Sequence, residues 1–321
     1  ILVGLVIGFA YTTLLERRFI ARIQSRLGPN RAGPFGLLQP WADALKLFFK
    51  EDIMPAGADK IIYTLAPAIT TVPALIVLAV VPLGEDVNLF GYRTSLGLVD
   101  INVGVLYILA VTSIAVYGIV LAGWSSANKW AMLGGLRSSA QMISYEIAMG
   151  LSIIGPIMLA QSMSLGDIID AQKNVWFIFL QPVAGIIFAI TTLAETNRAP
   201  FDLPEAEQEL TAGYHTEYSG MKFAAFFMAE YIKMIAVSVI AIALFWGGYR
   251  FFGLEYLLGG WMGPIIFLAK VVLSLMGMVW IRATLPRFRY DKLMSFGWKV
   301  LLPLALFNVA ATAVVIVAVQ A

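Results

Sequence analysis

Residues 101–124 read INVGVLYILAVTSIAVYGIVLAGW, 24 consecutive residues without a charged side chain. A helix needs about 20 predominantly apolar residues to cross a bilayer, so this one stretch sets the class of the chain. Outward from it, comparable runs recur at roughly 61–83, 139–160, 174–194, 223–246, 261–282 and 300–320, with a shorter one at 1–15. The expected fold is therefore an all-α integral membrane protein, a single polytopic domain over 1–321 forming a bundle of eight transmembrane helices. The first run starts at Ile1 without an initiator methionine and meets Glu16 after 15 residues, so this span is expected to be truncated. No basic segment precedes it and no small-residue cleavage site follows, which argues against a signal peptide.

Composition agrees: 60% of residues are hydrophobic, 13% are charged and the mean hydropathy is +0.82, whereas soluble domains carry about a quarter charged residues. Cysteine is absent and His215 is the one histidine. The chain alone cannot supply the thiolate or imidazole sets that iron–sulfur clusters, haems or structural zinc require. A formal charge of +2 argues against nucleic acid, which demands a concentrated basic surface. No G-x-G and no G-K-[ST] occurs, so no nucleotide fingerprint can be placed.

Of 22 lysines and arginines, 17 fall in the odd-numbered loops and 3 in the even-numbered ones. The positive-inside rule then puts loops one, three, five and seven in the cytoplasm and both termini on the periplasmic side. Loop one, Glu16 to Lys60, is far longer than a helix connection requires. Arg18, Arg22 and Arg26 recur at helical spacing beside Arg17, and GPNRAGP (28–34) must break that helix. Beyond Pro40, WADALKLFFK is amphipathic, with Trp41, Leu45, Phe48 and Phe49 able to lie in the membrane interface. The arginines read either as topology and lipid-headgroup anchors or as the lining of an entrance between helices.

Loop five, Glu195 to Lys222, inverts the pattern: Glu195, Asp202, Glu205, Glu207, Glu209 and Glu217 face only two basic residues. Asp202 and Pro204 read as a helix start, which explains one or two acids. Six acids interleaved with Phe201, Leu203, Leu210 and Tyr214 read better as a partly buried proton-handling cluster. Four further charges, Glu146, Glu230, Lys233 and Lys270, sit within spans, each costing about 2.5–3.5 kcal/mol at a helix centre. Glu230 and Lys233 can pair at i,i+3. Glu146 and Lys270 have no partner within a turn and are expected to face the bundle interior or a water-filled cavity. Tyr145 and Tyr231 adjoin membrane glutamates and suit proton relay. His215, a lone histidine, reads as structural. GLVIG (4–8) and GGWMG (259–263) match G-x-x-x-G and imply no more than close helix packing.

Four segments in order, ERRFIARIQSRLGPNRAGPFGLLQPWADALKLFFKE, GWSSANKWAMLGGLRSSAQMISYE, AETNRAPFDLPEAEQELTAGYHTEYSGMKF and WIRATLPRFRYDKLMSFGWK, resemble the H-type membrane subunits (mitochondrial subunit 1) of respiratory complex I, the proton-pumping NADH:quinone oxidoreductase. Ala127 and Trp130 are small departures from that family's pattern. The resemblance implies a membrane component of a translocase, at the junction of the peripheral and membrane arms, that forms much of the quinone chamber. It implies no catalytic residue, metal or cofactor in this chain alone. Quinone would be the substrate, with iron–sulfur clusters and FMN in partner subunits. Partners would be the other membrane-arm subunits, the peripheral iron–sulfur subunits and membrane lipids, in a bacterial inner membrane. It assigns Glu16, Arg17, Arg26, Arg198, Asp202 and Glu205 to the quinone tunnel. To an acidic proton path it assigns Tyr145, Glu146, Glu195, Glu207, Glu209, Glu217, Glu230, Tyr231 and Arg137, with intramembrane Lys270 counted beside them. The homologous membrane subunit of an energy-converting hydrogenase, a free-standing cation or proton transporter and a passive scaffold are the alternatives.

Overall fold

The computed structural model describes residues 2–85, 87–89, 92–94, 96–202, 212–254 and 261–320. Helix α1 (Leu2–Ile23) carries the first apolar run straight through Glu16, Arg17, Arg18 and Arg22. It stops before the glycine–proline segment: Ser25 turns left-handed at φ 55°. Its N–H and that of Arg26 donate to the carbonyls of Arg22 and Ala21, satisfying the last turn as a Schellman cap. Arg26 therefore lies off the helical face expected for Arg18 and Arg22. Helix α2 (Gln39–Phe48) follows, with Pro40 in its first turn and no buried residue.

Helix α3 (Lys60–Ile76) is started by Asp59, whose carboxylate accepts from the N–H groups of Ile61 and Ile62; a 3₁₀ turn, Val77–Val80, extends it. A two-stranded antiparallel hairpin, β1 (Val87–Leu89) and β2 (Tyr92–Thr94), interrupts the otherwise helical architecture. Helix α4 (Gly104–Ser125) is the opening stretch of sequence, about 33 Å long at 1.5 Å per residue against a hydrocarbon core of about 30 Å. Helix α5 (Lys129–Ala160) begins ten residues earlier than the apolar pattern indicates, because Asn128 caps it at the Trp130 N–H. Short helices α6 (Leu165–Ala171) and α7 (Phe177–Leu180) lead to α8 (Pro182–Glu195). The expected span 174–194 is thus broken at Gln181, where Pro182 supplies no N–H to continue the turn.

Helix α9 (Gly220–Phe245) is the centre of the bundle, with 72% of its most apolar window buried. Helix α10 (Met262–Thr284) and the run α11 (Tyr290–Phe296) to α12 (Leu302–Gln320) are peripheral, at 28% and 17%. A π turn, Gly297–Leu301, joins α11 to α12 ahead of Pro303, which cannot donate to the Lys299 carbonyl, so the last run starts near 290 rather than 300.

Among the described residues, six helices are long and apolar enough to cross a membrane, and α8 is a shorter apolar helix. The chain is an all-α, multi-pass membrane protein. Close approach fixes part of the packing: a Cβ on Gly118 would lie 2.1 Å from Thr70 Oγ1, so α3 and α4 meet only because that position is glycine. The G-x-x-x-G expectation fares differently, since Gly4 has open space around it, and residues 259 and 260 lie outside the described set.

Candidate functional site

The site begins where α8 ends. Asn197 adopts φ 51° and terminates the helix, and the N–H groups of Thr196 and Asn197 return to the carbonyls of Thr192 and Ala194. Loop five then turns inward: Glu195, Thr196, Asn197, Arg198, Phe201 and Asp202 are all buried. A loop buried at this depth must bring polar groups with it, and those need partners.

The partners come from three helices. Arg198, 4% exposed, pairs through Nε with Glu230 of α9 and lies 3.5 Å from Glu16 of α1. Its guanidinium also covers the Tyr231 ring, 4.4 Å from the centroid. Tyr231 donates to Glu16 Oε2 at 2.7 Å, and Arg282 of α10 pairs with the other oxygen of Glu16. Lys233 Nζ lies 2.5 Å from Glu195 Oε1. Glu230 and Lys233, whose spacing would allow them to pair along α9, each reach across to loop five, whose turn presents an opposite charge to each. Half-buried Glu146 of α5 faces the Thr112 hydroxyl and stands within electrostatic reach of Glu195 and Lys233.

Three carboxylates, Glu16, Glu195 and Glu230, thus interlock with three cations, Arg198, Lys233 and Arg282, and Glu146 stands as a fourth acid at the edge. Buried pairs of this kind are costly to break, because the abandoned charge stays desolvated. Beside them is a cavity of about 40 Å³ lined by Thr70, Thr112, Glu195, Asn197, Glu230 and Lys233 among others, space for a few waters at about 10–15 Å³ each. Asn197 Oδ1 is buried on this cavity without a hydrogen-bond partner. A second cavity of about 170 Å³ is walled by Tyr214, His215, Phe223, Phe226 and Phe227, with Glu230 on its lining.

The other sequence-derived residues are dispersed. Asp202 pairs with Arg287 at 2.9 Å. Arg17 is about half exposed and holds Asp43 of α2 at 2.8 Å; Arg26 is exposed. Glu217 accepts from Asn128 Nδ2 at 2.6 Å, near Tyr218, whose hydroxyl burial pushes up to about 12. Tyr145 donates to the Leu293 carbonyl at 2.9 Å and not toward its neighbour Glu146, as adjacent helical residues face apart. Arg137 stacks on Tyr290. Lys270 is at a different place altogether: its Nζ donates to the carbonyls of Trp246, Gly248 and Arg250 at 2.7, 2.9 and 2.7 Å. Glu205, Glu207 and Glu209, with the helix start expected after Asp202, lie outside the described residues. Arg282, Arg287, Thr112 and Asn197 were not singled out by sequence; the two arginines counted only as topological charge, and nothing local marks the other two. Among the described residues no cluster of three or more histidine, cysteine or carboxylate side chains could hold a metal ion.

The NADH dehydrogenase family matches residues 1–313. The H subunit of NADH-quinone oxidoreductase from Protochlamydia amoebophila is 53% identical over 309 residues, covering 95% of this chain and 91% of the relative. The chain belongs to this family of membrane subunits. The first of the H-type subunits of Geobacter metallireducens is 52% identical over 304 residues, with 94% and 90% covered. That of Thermomicrobium roseum is 50% identical over 327 residues, with 98% and 94% covered. The chain is accordingly an enzyme subunit of the NADH-quinone oxidoreductase type and a multi-pass membrane protein.

Proposed function

We propose that this subunit walls the quinone chamber of its complex and couples quinone reduction to proton movement through the buried carboxylates. The observation that carries the reading is the interlocked set Glu16–Arg198–Glu230 with Lys233–Glu195, adjoining both a small cavity that Glu195, Glu230 and Lys233 help to line and an aromatic one. Aromatic walls suit a planar quinone ring, and Glu230 joins that cavity to the charged set. Electrons would come from the iron–sulfur clusters and FMN of partner subunits.

Reducing a quinone takes up two protons and transiently builds negative charge. A new charge near Arg198 competes with Glu16 and Glu230 for the guanidinium, and a carboxylate released from its cation gains proton affinity. Because Glu195 and Lys233 border the same cavity as Glu230, the change reaches Glu146 through waters and electrostatics. Arg17 and Arg26, on the exposed side, would frame the mouth; Asp202, held by Arg287, would sit where chamber meets path. Glu205, Glu207, Glu209, Glu217, Tyr145, Tyr231 and Arg137 remain assigned to tunnel or path by resemblance. Lys270 is set apart from the path by its place, with its Nζ on the carbonyls of Trp246, Gly248 and Arg250 beyond the end of α9. All eight apolar segments would cross the membrane, with odd loops cytoplasmic and termini periplasmic. The cytoplasmic surface would meet peripheral iron–sulfur subunits, and the exposed faces of α10 and α12 would meet membrane-arm subunits and lipid.

The test is binding of a labelled quinone-site inhibitor to the purified complex, with and without Glu230→Gln. Displacement by quinone and weaker binding in the variant are expected; binding that quinone does not displace contradicts the reading.

A further inference from the structure

The turn bearing Glu195 and Arg198 is spanned by one side chain from another helix. Gln141 of α5 is wholly buried, and its Nε2 donates to the Ala194 carbonyl at 2.8 Å and the Phe201 carbonyl at 2.7 Å. These two carbonyls bracket the reversal. Between them lie Glu195, which meets Lys233, Asn197, which faces the small cavity, and Arg198, which meets Glu16 and Glu230. Both acceptors are carbonyls, so the amide orientation is fixed: nitrogen toward the turn, oxygen away. Gln141 Oε1 itself is buried with no partner. A buried amide that leaves its oxygen unsatisfied in order to use both N–H groups accepts a cost that packing alone does not require.

We propose that Gln141 is the positioning residue of this turn, setting the separation of its two ends and thereby the places of the Glu195 carboxylate and the Arg198 guanidinium. It lines neither of the two cavities, and the inference rests on the coupling role given above to those two residues. Other contacts keep the turn folded without it: Phe201 N–H donates to the Arg198 carbonyl and Phe288 N–H to the Pro200 carbonyl. Loss of the amide should therefore loosen the turn rather than unfold the bundle.

The experiment uses the intact purified complex in proteoliposomes and compares Gln141→Met, of similar shape but without donors, Gln141→Asn, one methylene shorter and able to reach one carbonyl, and Glu195→Gln. The readouts are kcat and KM for a short-chain quinone, and quinone-driven proton uptake, all per assembled complex. Gln141→Met is expected to lower kcat and proton uptake about tenfold with KM within about twofold, and Gln141→Asn to fall between it and wild type. A merely structural role would reduce the amount of complex but leave kcat per complex unchanged, and that result overturns the proposal. If Gln141→Met yields no complex, full kcat in Gln141→Asn overturns it equally. Failure of the coupling reading looks different: Glu195→Gln would then pump like wild type, whereas a silent Gln141→Met beside a defective Glu195→Gln refutes the positioning role alone.

Discussion

Two lysines lie inside the apolar helices, and their surroundings could hardly differ more. Lys233 of α9 meets a carboxylate, Glu195, in a cluster of interlocked charges beside a small cavity. Lys270 of α10 meets three backbone carbonyls of the chain reversal after α9 and stands over the Trp176 ring at 4.7 Å. Nearby, Arg250 secures Asp170 at 2.5 Å and Glu85 at 3.4 Å. One lysine sits where its partner's charge can change; the other gathers the carbonyls of the turn that follows α9. Identical residue types at similar cost to insertion thus serve a responsive region and an anchor.

The largest effect is expected from Arg198→Met in the responsive region. It removes the cation shared by Glu16 and Glu230, which costs about 3–5 kcal/mol for an abandoned buried charge; native gels should show little assembled complex, and quinone reductase activity in membranes should fall at least a hundredfold. Lys233→Met strands one carboxylate, Glu195, where Arg198→Met strands two, so more complex should assemble, yet quinone-driven turnover per complex should drop by about tenfold. Lys270→Met should do the reverse: a loss of about 2 kcal/mol from the unsatisfied carbonyls, seen as a lower thermal midpoint of the purified complex, with turnover per complex within about twofold. Equal loss of turnover in both lysine variants would erase the distinction. The smallest effect belongs to Arg17→Ala, since its pair with Asp43 is exposed and worth about 0–1 kcal/mol; stability should be unchanged within error.

Much of this was legible in the chain itself. Long, predominantly apolar runs placed α3, α4, α5, α9 and α10 to within a few residues at most ends, since length and hydropathy decide a span. The runs misjudged what backbone chemistry decides: the proline-broken α7–α8 passage, the Asn128 cap that lengthens α5, and the π turn before Pro303. Glu195 and Glu230 stood out from their surroundings and the family resemblance added Glu16 and Arg198, but their pairing was not legible. Sequence spacing allowed Glu230 to pair with Lys233, whereas the partners seen lie on a loop that folds inward. Arg282 shows the limit most clearly: counted as one more positive-inside charge, it is a partner of Glu16. Nothing local in a sequence distinguishes an arginine facing water from one turned into a bundle.

If the buried carboxylates move protons in step with quinone reduction, removing the titration of one of them must cost pumping. Proton uptake by proteoliposomes containing the purified complex, driven by quinone reduction, measures this directly with Glu195→Gln, which keeps the shape of the side chain and removes its titration. Uptake at least about tenfold below wild type, in a complex assembled to the normal level, is expected. Wild-type uptake in that variant would show that protons do not pass through this cluster.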